Sequence, residues 1–273
     1  YGIAHTSEVI RRGYPFLIEK STKTLDSNAK QTPIFIVGNG PSIDKSIDTI
    51  KDCREQVILV SCGTALMPLY KAGITPDFHA EIEQNRSTFD WIAHIGDFKY
   101  MRNISLISCN GIHPDTCDLF KDVYLAFKEG ESSTVSAQNL INQKKFAELK
   151  FSFPTVSNFA VDFFLSAGFE QLYLWGVDLG FRDLKKHHSE KSGYYKDGGD
   201  EVYSYADENN VAIRVEGNNT PFVYTKHEFK VSKEIMQQAL SSRRVECYNC
   251  SDGAKIVGTT PLPPDLVLLT VSE

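Results

Sequence analysis

The sequence lacks any apolar run near the roughly 20 residues that a membrane-spanning helix needs, so no membrane insertion is expected. It has no basic-then-apolar leader. It begins at Tyr1 rather than Met, and we read it as a section of a longer chain. Positive charge is also short: 29 Lys and Arg stand against 35 Asp and Glu, a formal net charge of −6. Nucleic-acid binding wants a basic face, so nucleic acid is not an expected partner. A small anion stays admissible, because helix N-termini and loop amides hold phosphate in acidic proteins too. Neither a G-x-G-x-x-G fingerprint nor a Walker loop is present, and there is no internal repeat. Cysteine is sparse and badly spaced for metal. Cys247 and Cys250 form one C-x-x-C, but no second pair stands at zinc spacing, so no metal site is expected. Cys53, Cys62, Cys109 and Cys117 are scattered and read as buried reduced thiols. That fits a reducing, cytoplasmic compartment.

What is present is a strand-helix alternation. Ile34-Phe35-Ile36-Val37 is a short apolar run closed by Gly38, which suits a strand buried on both faces of a parallel sheet. A helical spacing follows at Ile43, Ile47 and Ile50. Further strands are expected at Val57–Val60, Phe78–Glu83, Ile104–Ser108, Val123–Phe127, Gln171–Trp175, Pro221–Tyr224 and Val245–Tyr248. Helices are expected between them at Thr64–Ala72, Thr88–Ile95, Ala137–Lys145, Val156–Ala167 and Thr225–Ser241. This order predicts an α/β fold with a doubly wound, mostly parallel Rossmann-like sheet and helices on both faces. Residues 1–31 read as a helical and linker segment, 32–260 as one α/β domain, and 261–273 as an exit segment. Leu179 to Glu216 breaks the rhythm. It is polar, long for a connector, and predicts a partly mobile lid over the site.

Four clusters carry chemistry. Gly38-Asn39-Gly40-Pro41-Ser42 joins a buried strand to a helix, where doubly wound sheets bind phosphate or ribose. Its glycines allow close approach, Pro41 suits the first helical turn, and Asn39 and Ser42 stand beside amides read as free. The bland alternative is a plain connecting turn. Glu81 and Glu83 share one face of a strand near its carboxyl end, with Asn85 just beyond. They suit a ribose, a donor or acceptor sugar hydroxyl, a metal, or merely a solvated edge paired with Arg86. Asp178 ends a buried strand between glycines and suits a ribose or base, or a capping role. His187 and His188, with Tyr194 and Tyr195, offer an acid-base group and two phenol donors. His227 is a competing base.

Together the segments Ile34–Ser42, Gly73-Ile74-Thr75-Pro76-Asp77-Phe78, Glu81-Ile82-Glu83 and Gly176-Val177-Asp178-Leu179 resemble the central domain of bacterial motility-associated factor (Maf) proteins, the domain-of-unknown-function-115 type. That family is similar to enzymes attaching nonulosonic acids, such as pseudaminic or legionaminic acid, to flagellin. The domain also resembles bacterial sialyltransferases that use CMP-sialic acid. The resemblance covers roughly residues 30 to 260. It implies that Gly38, Asn39, Gly40 and Ser42 hold the nucleotide, that Thr155, Ser157 and Asn158 line a cytidine pocket, and that Asp178 lies beside ribose or donor sugar. It also implies that His188, or His187 in its place, is the base. The expected reaction moves a nonulosonic acid from a CMP-activated donor to protein Ser or Thr, with no cofactor required. The wider superfamily contains pterin pyrophosphokinase-like enzymes, for which ATP and Mg²⁺ would be expected. A non-catalytic flagellin-binding domain is the third reading.

Overall fold

The computed structural model describes residues 1–19, 25–141, 146–184, 186–195 and 213–269. Its strands are β1 (Ile34–Val37), β2 (Ile58–Cys62), β3 (Phe78–Glu81), β4 (Ser105–Cys109), β5 (Val123–Lys128), β6 (Glu148–Leu149), β7 (Gln171–Trp175), β8 (Ile213–Val215), β9 (Val223–Thr225), β10 (Glu246–Asn249) and β11 (Thr260–Pro261). Among the described residues nine of them form one sheet, ordered β11-β10-β7-β1-β2-β3-β4-β5-β6. Every pairing in it is parallel. β8 and β9 form a separate antiparallel hairpin.

The chain steps outward from β1 through β2 to β6, then returns to lay β7 on the other flank of β1. The strand order reverses at the β1/β7 pair, and a doubly wound sheet opens its ligand crevice at the carboxyl ends of such strands. β1 is buried throughout, and its alternate residues feed two cores. Ile34 and Ile36 pack under the helix Val156–Ala167 with Phe159, Ala160 and Phe164. Phe35 and Val37 pack under the helix Ile43–Asp52 with Ile43, Ile47, Ile50 and Trp175. The double burial is why the run carries no polar alternation. The helix Val156–Ala167 ends at Gly168, whose φ of 101° lets its amide reach Phe164 O and Leu165 O.

Several elements differ from their sequence expectations for local reasons. The strand expected over 78–83 stops at Glu81, because Glu81 Oε1 accepts the amides of Ile82 (2.9 Å) and Glu83 (3.4 Å) and turns the chain out of the sheet. The helix expected from Thr225 starts at His227, since Thr225 belongs to β9 and donates its hydroxyl to Leu179 O at 2.7 Å. The helix expected from Ala137 runs Ser132–Ile141, and residues 142–145 lie outside the described residues. The N-terminal stretch is tied to the sheet, with the Leu17 amide donating to Leu125 O at 2.7 Å.

The polar stretch expected as a lid is described at 179–184, 186–195 and 213–216; 185 and 196–212 lie outside the described residues. The part around Ser189 packs on the glycine loop. Its amide donates to Asn39 O (3.0 Å), its hydroxyl to Asp44 Oδ1 (2.5 Å), and the Glu190 amide to Asp44 Oδ2 (2.9 Å). Among the described residues here His187, Ser189 and Ser192 are buried, while Arg182, Asp183, Lys186, Glu190 and Lys191 stay exposed.

Gly176 has φ +59°, and a Cβ there would lie 2.5 Å from Gly38 O. Gly176→Ala is therefore expected to destabilise the fold by about 1–3 kcal/mol, read as a lower urea midpoint with an unchanged m-value.

Candidate functional site

The exits of β1 and β7 lie backbone to backbone. The Gly38 amide donates to Trp175 O (2.7 Å) and the Gly40 amide to Gly176 O (2.8 Å). A Cβ on Gly38 would stand 2.6 Å from Gly176 O, and one on Gly40 would run into the Asp178 carboxylate. The Ser42 amide donates to Asp178 Oδ2 (2.9 Å), while Asp178 Oδ1 accepts the Asp252 amide (3.1 Å) from the loop after β10. This corrects the premise that the loop's amides are free. Those of Gly38, Gly40 and Ser42 are bonded within the protein, and Ile43 N donates to Gly40 O. The glycines serve loop-to-loop packing as well as any ligand. Asp178 is 4% exposed. Burial pushes its carboxyl up to about 6, against the opposing pull of the Ser42 and Asp252 amides.

Below this junction, at the carboxyl edge of the sheet, lies a cavity of about 610 Å³. Its size is that of a small-molecule site. Gly38, Asn39, Gly40 and Asp178 form one wall, and Glu81, Glu83 and Asn85 another. Thr155 and Ser157 approach from the start of the helix Val156–Ala167, and His187, His188 and Tyr194 from the polar stretch. Four groups distant in sequence thus meet in one space. Pro41 and Ser42 lie outside it and line a second cavity of about 340 Å³ on the far side of Asp178.

Other expected residues hold neighbours. Asn158 is buried, accepting from Thr155 Oγ1 (2.7 Å) and Ser232 Oγ (2.5 Å) and donating to Ser232 O (2.9 Å). It fixes the start of its helix against the helix His227–Ser241. The Tyr195 hydroxyl accepts the amides of His187 (3.3 Å) and His188 (3.4 Å), which positions the histidine segment. His227 is exposed and lines neither cavity. Asp77 of the Gly-Ile-Thr-Pro-Asp element accepts the Leu59 amide and an Arg54 guanidinium N–H, both at 2.8 Å. It organises the opposite end of β2 and β3. All six cysteines are free and buried.

The histidines sit in an aromatic column. The His188 ring stacks on Tyr194 at 3.9 Å and 10°, and Tyr194 meets Trp91 at 5.7 Å. A Cβ on Gly193 would come 2.8 Å from Trp91 Cζ3. Burial, then the positive charge of Lys226 and then His187, pull the His188 imidazole down to about 3. It is neutral at working pH.

Glu81 behaves in the opposite sense. It is 5% exposed, and burial pushes its carboxyl up to about 7 despite the Ile82 and Glu83 amides, with the Glu83 charge adding to the rise.

Sequence reasoning missed three contributors. Thr64 Oγ1 accepts Asn39 Nδ2 at 2.9 Å, while the buried Asn39 Oδ1 has no partner. Lys226 lines the cavity, paired with Glu228 at 3.0 Å and lying over Phe229. The third is backbone: among the described residues no partner takes the Val156 or Ser157 amide at the helix start, where the helix dipole favours an anion. Pro154 before that helix was a visible signal; Lys226 had none, being a lone lysine beside a helix start.

The family model "6-hydroxymethylpterin diphosphokinase MptE-like" matches residues 11–184, which span β1 to β7 and end just before the histidines. The solved structure of a Maf glycosyltransferase from Magnetospirillum magneticum AMB-1 is similar over 94% of this chain, with 31% identity and a TM-score of 0.75. The chain spans 36% of that protein's length. No curated protein matches the sequence. Among the described residues, no helix is long and apolar enough to cross a membrane, and no cluster of three or more His, Cys, Asp or Glu stands at metal-binding spacing.

The raised Glu81 carboxyl has a sign-definite consequence. Between its ordinary value of 4.5 and about 7 the folded state holds more protons than the unfolded one. Folding stability from this group is therefore present at low pH and lost as pH rises through that window. Glu81→Gln removes the loss. Its stability relative to wild type is expected to rise by roughly 2–4 kcal/mol from pH 4.5 to 7.5, measured by urea titration of both proteins at each pH.

Proposed function

The chain belongs to the 6-hydroxymethylpterin diphosphokinase MptE-like family, and on that premise we propose that it is a glycosyltransferase moving a nonulosonic acid from a CMP-activated donor to a protein Ser or Thr hydroxyl, with flagellin as acceptor. The observation that carries this reading is the 31% identity with a Maf glycosyltransferase over 94% of the chain. The site chemistry supports it. The donor is anionic at its phosphate and at its sugar carboxylate. The unpartnered amides of Val156 and Ser157 and the ammonium of Lys226 offer an electropositive side to an otherwise acidic cavity. Thr155 and Ser157 stand at the same edge for cytidine or ribose, and Asn39 lines the cavity with its Oδ1 buried and without a partner.

Glycosyl transfer passes through an oxocarbenium-like state in which negative charge grows on the leaving phosphate. Amides and an ammonium fixed beforehand stabilise that charge without reorganising. Direct displacement inverts the anomeric centre. Tyr194, stacked on His188 and tilted against Trp91, lines the cavity and carries a phenol of the kind that donates to a departing phosphate. The acceptor's proton needs a base, and His188 and Glu81 are two residues of the cavity with the chemistry for it.

A diphosphokinase reading draws on the name of the matched family. It would place Mg²⁺ between ATP phosphates, with Glu81, Glu83 and Asp178 as ligand candidates. Against it, both Asp178 oxygens already accept backbone amides.

Calorimetry with CMP, CDP, UDP, GDP and ATP, each with and without Mg²⁺, separates the two. The expected result is that CMP binds most tightly and needs no divalent ion. Mg²⁺-dependent ATP binding with none of CMP would transfer the assignment to the kinase chemistry. Asn39→Ala is expected to weaken CMP about 2- to 12-fold, the loss of one hydrogen bond worth roughly 0.5–1.5 kcal/mol. Unchanged affinity in a folded variant would make this loop structural only.

A further inference from the structure

Glu81 sits at the end of β3, where its two carboxylate oxygens have different surroundings. Oε1 is occupied by the Ile82 and Glu83 amides. Oε2 lies toward Gly63, the residue that leaves β2: a Cβ there would be 3.8 Å from Oε2 and 3.4 Å from Val156 Cγ2. Gly63 has φ +53°, a conformation that holds the position to glycine. The space between Oε2 and the start of the helix Val156–Ala167 is therefore left open, and Glu81, Gly63, Val156 and Ser157 all line the cavity.

Resting on the glycosyl-transfer reading above, we propose that Glu81 is the general base. Its Oε2 takes the proton of the acceptor hydroxyl as that oxygen bonds to the anomeric carbon of the sugar. The bond from the same carbon to the CMP phosphate breaks, and its electron pair leaves with CMP. The proton passes from Glu81 to solvent after product release.

The choice between Glu81 and His188 follows from charge type. A buried site disfavours ions. Accepting a proton makes His188 a cation, which burial, Lys226 and His187 all oppose. Accepting a proton makes Glu81 neutral, which burial and the Glu83 charge favour. A base that titrates near working pH combines the ionised form with useful proton affinity. The titratable groups around Glu81 do not reverse this. Cys62 on β2 and Cys109 on β4 are thiols that burial keeps protonated. His79, two residues earlier on β3, is held neutral by burial. The helix opposite contributes Val156 and Ser157, which carry no charge. Protonation of Glu81 also removes a negative charge from the cavity as negative charge grows on the leaving phosphate.

The test uses the full chain with CMP-pseudaminic acid as donor and purified flagellin as acceptor, following CMP release and sugar transfer. In wild type, kcat/KM should fall as pH drops below about 7. Glu81→Gln should lose about 10²- to 10⁴-fold in kcat, lose that acidic limb, and bind CMP within about threefold of wild type, as expected of a base that holds no part of the nucleotide. Glu81→Asp should recover part of the rate. His188→Asn should retain the limb. Transfer by Glu81→Gln within tenfold of wild type, or loss of the limb in His188→Asn alone, overturns the assignment while leaving the glycosyltransferase reading intact. Wild type that binds CMP yet releases none from this donor or from CMP-legionaminic or CMP-sialic acid overturns both.

Discussion

One buried carboxylate ties three loop ends of the sheet together. Asp178, at the exit of β7, accepts the Ser42 amide from the loop after β1 and the Asp252 amide from the loop after β10. Its own carbonyl accepts the Ala254 amide at 2.7 Å. The packing is so close that a Cβ on Gly40 or on Gly253 would overlap Asp178 itself. A charged or half-charged group at this depth is stabilised only by the hydrogen bonds it makes. Those bonds go to backbone, so the loops that bound the cavity are locked in register with one another before any ligand arrives.

That constraint redistributes the work of recognition. A glycine-rich loop between strand and helix invites the view that its amides cradle phosphate. Here three of them are spent on Trp175, Gly176 and Asp178. The electropositive groups left to face the cavity come from elsewhere: the start of the helix Val156–Ala167 and Lys226 ahead of the helix His227–Ser241. The glycine loop instead contributes shape, through the absence of side chains, and one oriented amide side chain in Asn39, held by Thr64.

The same depth of burial sorts the ionisable groups of the cavity by charge type. Glu81 and Asp178 are pushed toward their neutral acids, and His188 toward its neutral imidazole. All three shifts have one leading cause, the cost of removing charge from water. A cavity rich in carboxyl groups is thereby less negative than its composition, which suits an anionic ligand. The Ser189 contacts with Asn39 and Asp44 hold the histidine segment against the same wall. Geometry and ionisation are therefore set together.

The pattern of apolar runs and helical spacings determined the fold class, because both faces of β1 and β7 must be covered and only a parallel, doubly wound sheet covers them with the helices this chain supplies. It also pointed to the carboxyl edge, and to Asn39, Glu81, Asp178 and His188, since each stands at a strand exit or in the polar stretch beside one. Hydrogen-bond partners were not legible there. That the loop amides are satisfied, that Tyr195 and Asn158 brace neighbours, and that Ser189 docks on Asn39 all depend on groups from 7 to 150 residues away. Lys226 carried no local signal, and its role came only from the fold bringing its helix start to the cavity. Sequence spacing determined which residues leave the sheet at its carboxyl edge, because strand and helix periods are local. Tertiary structure decided which of them are bonded, buried and proton-shifted, because desolvation and partnership are properties of the assembled wall.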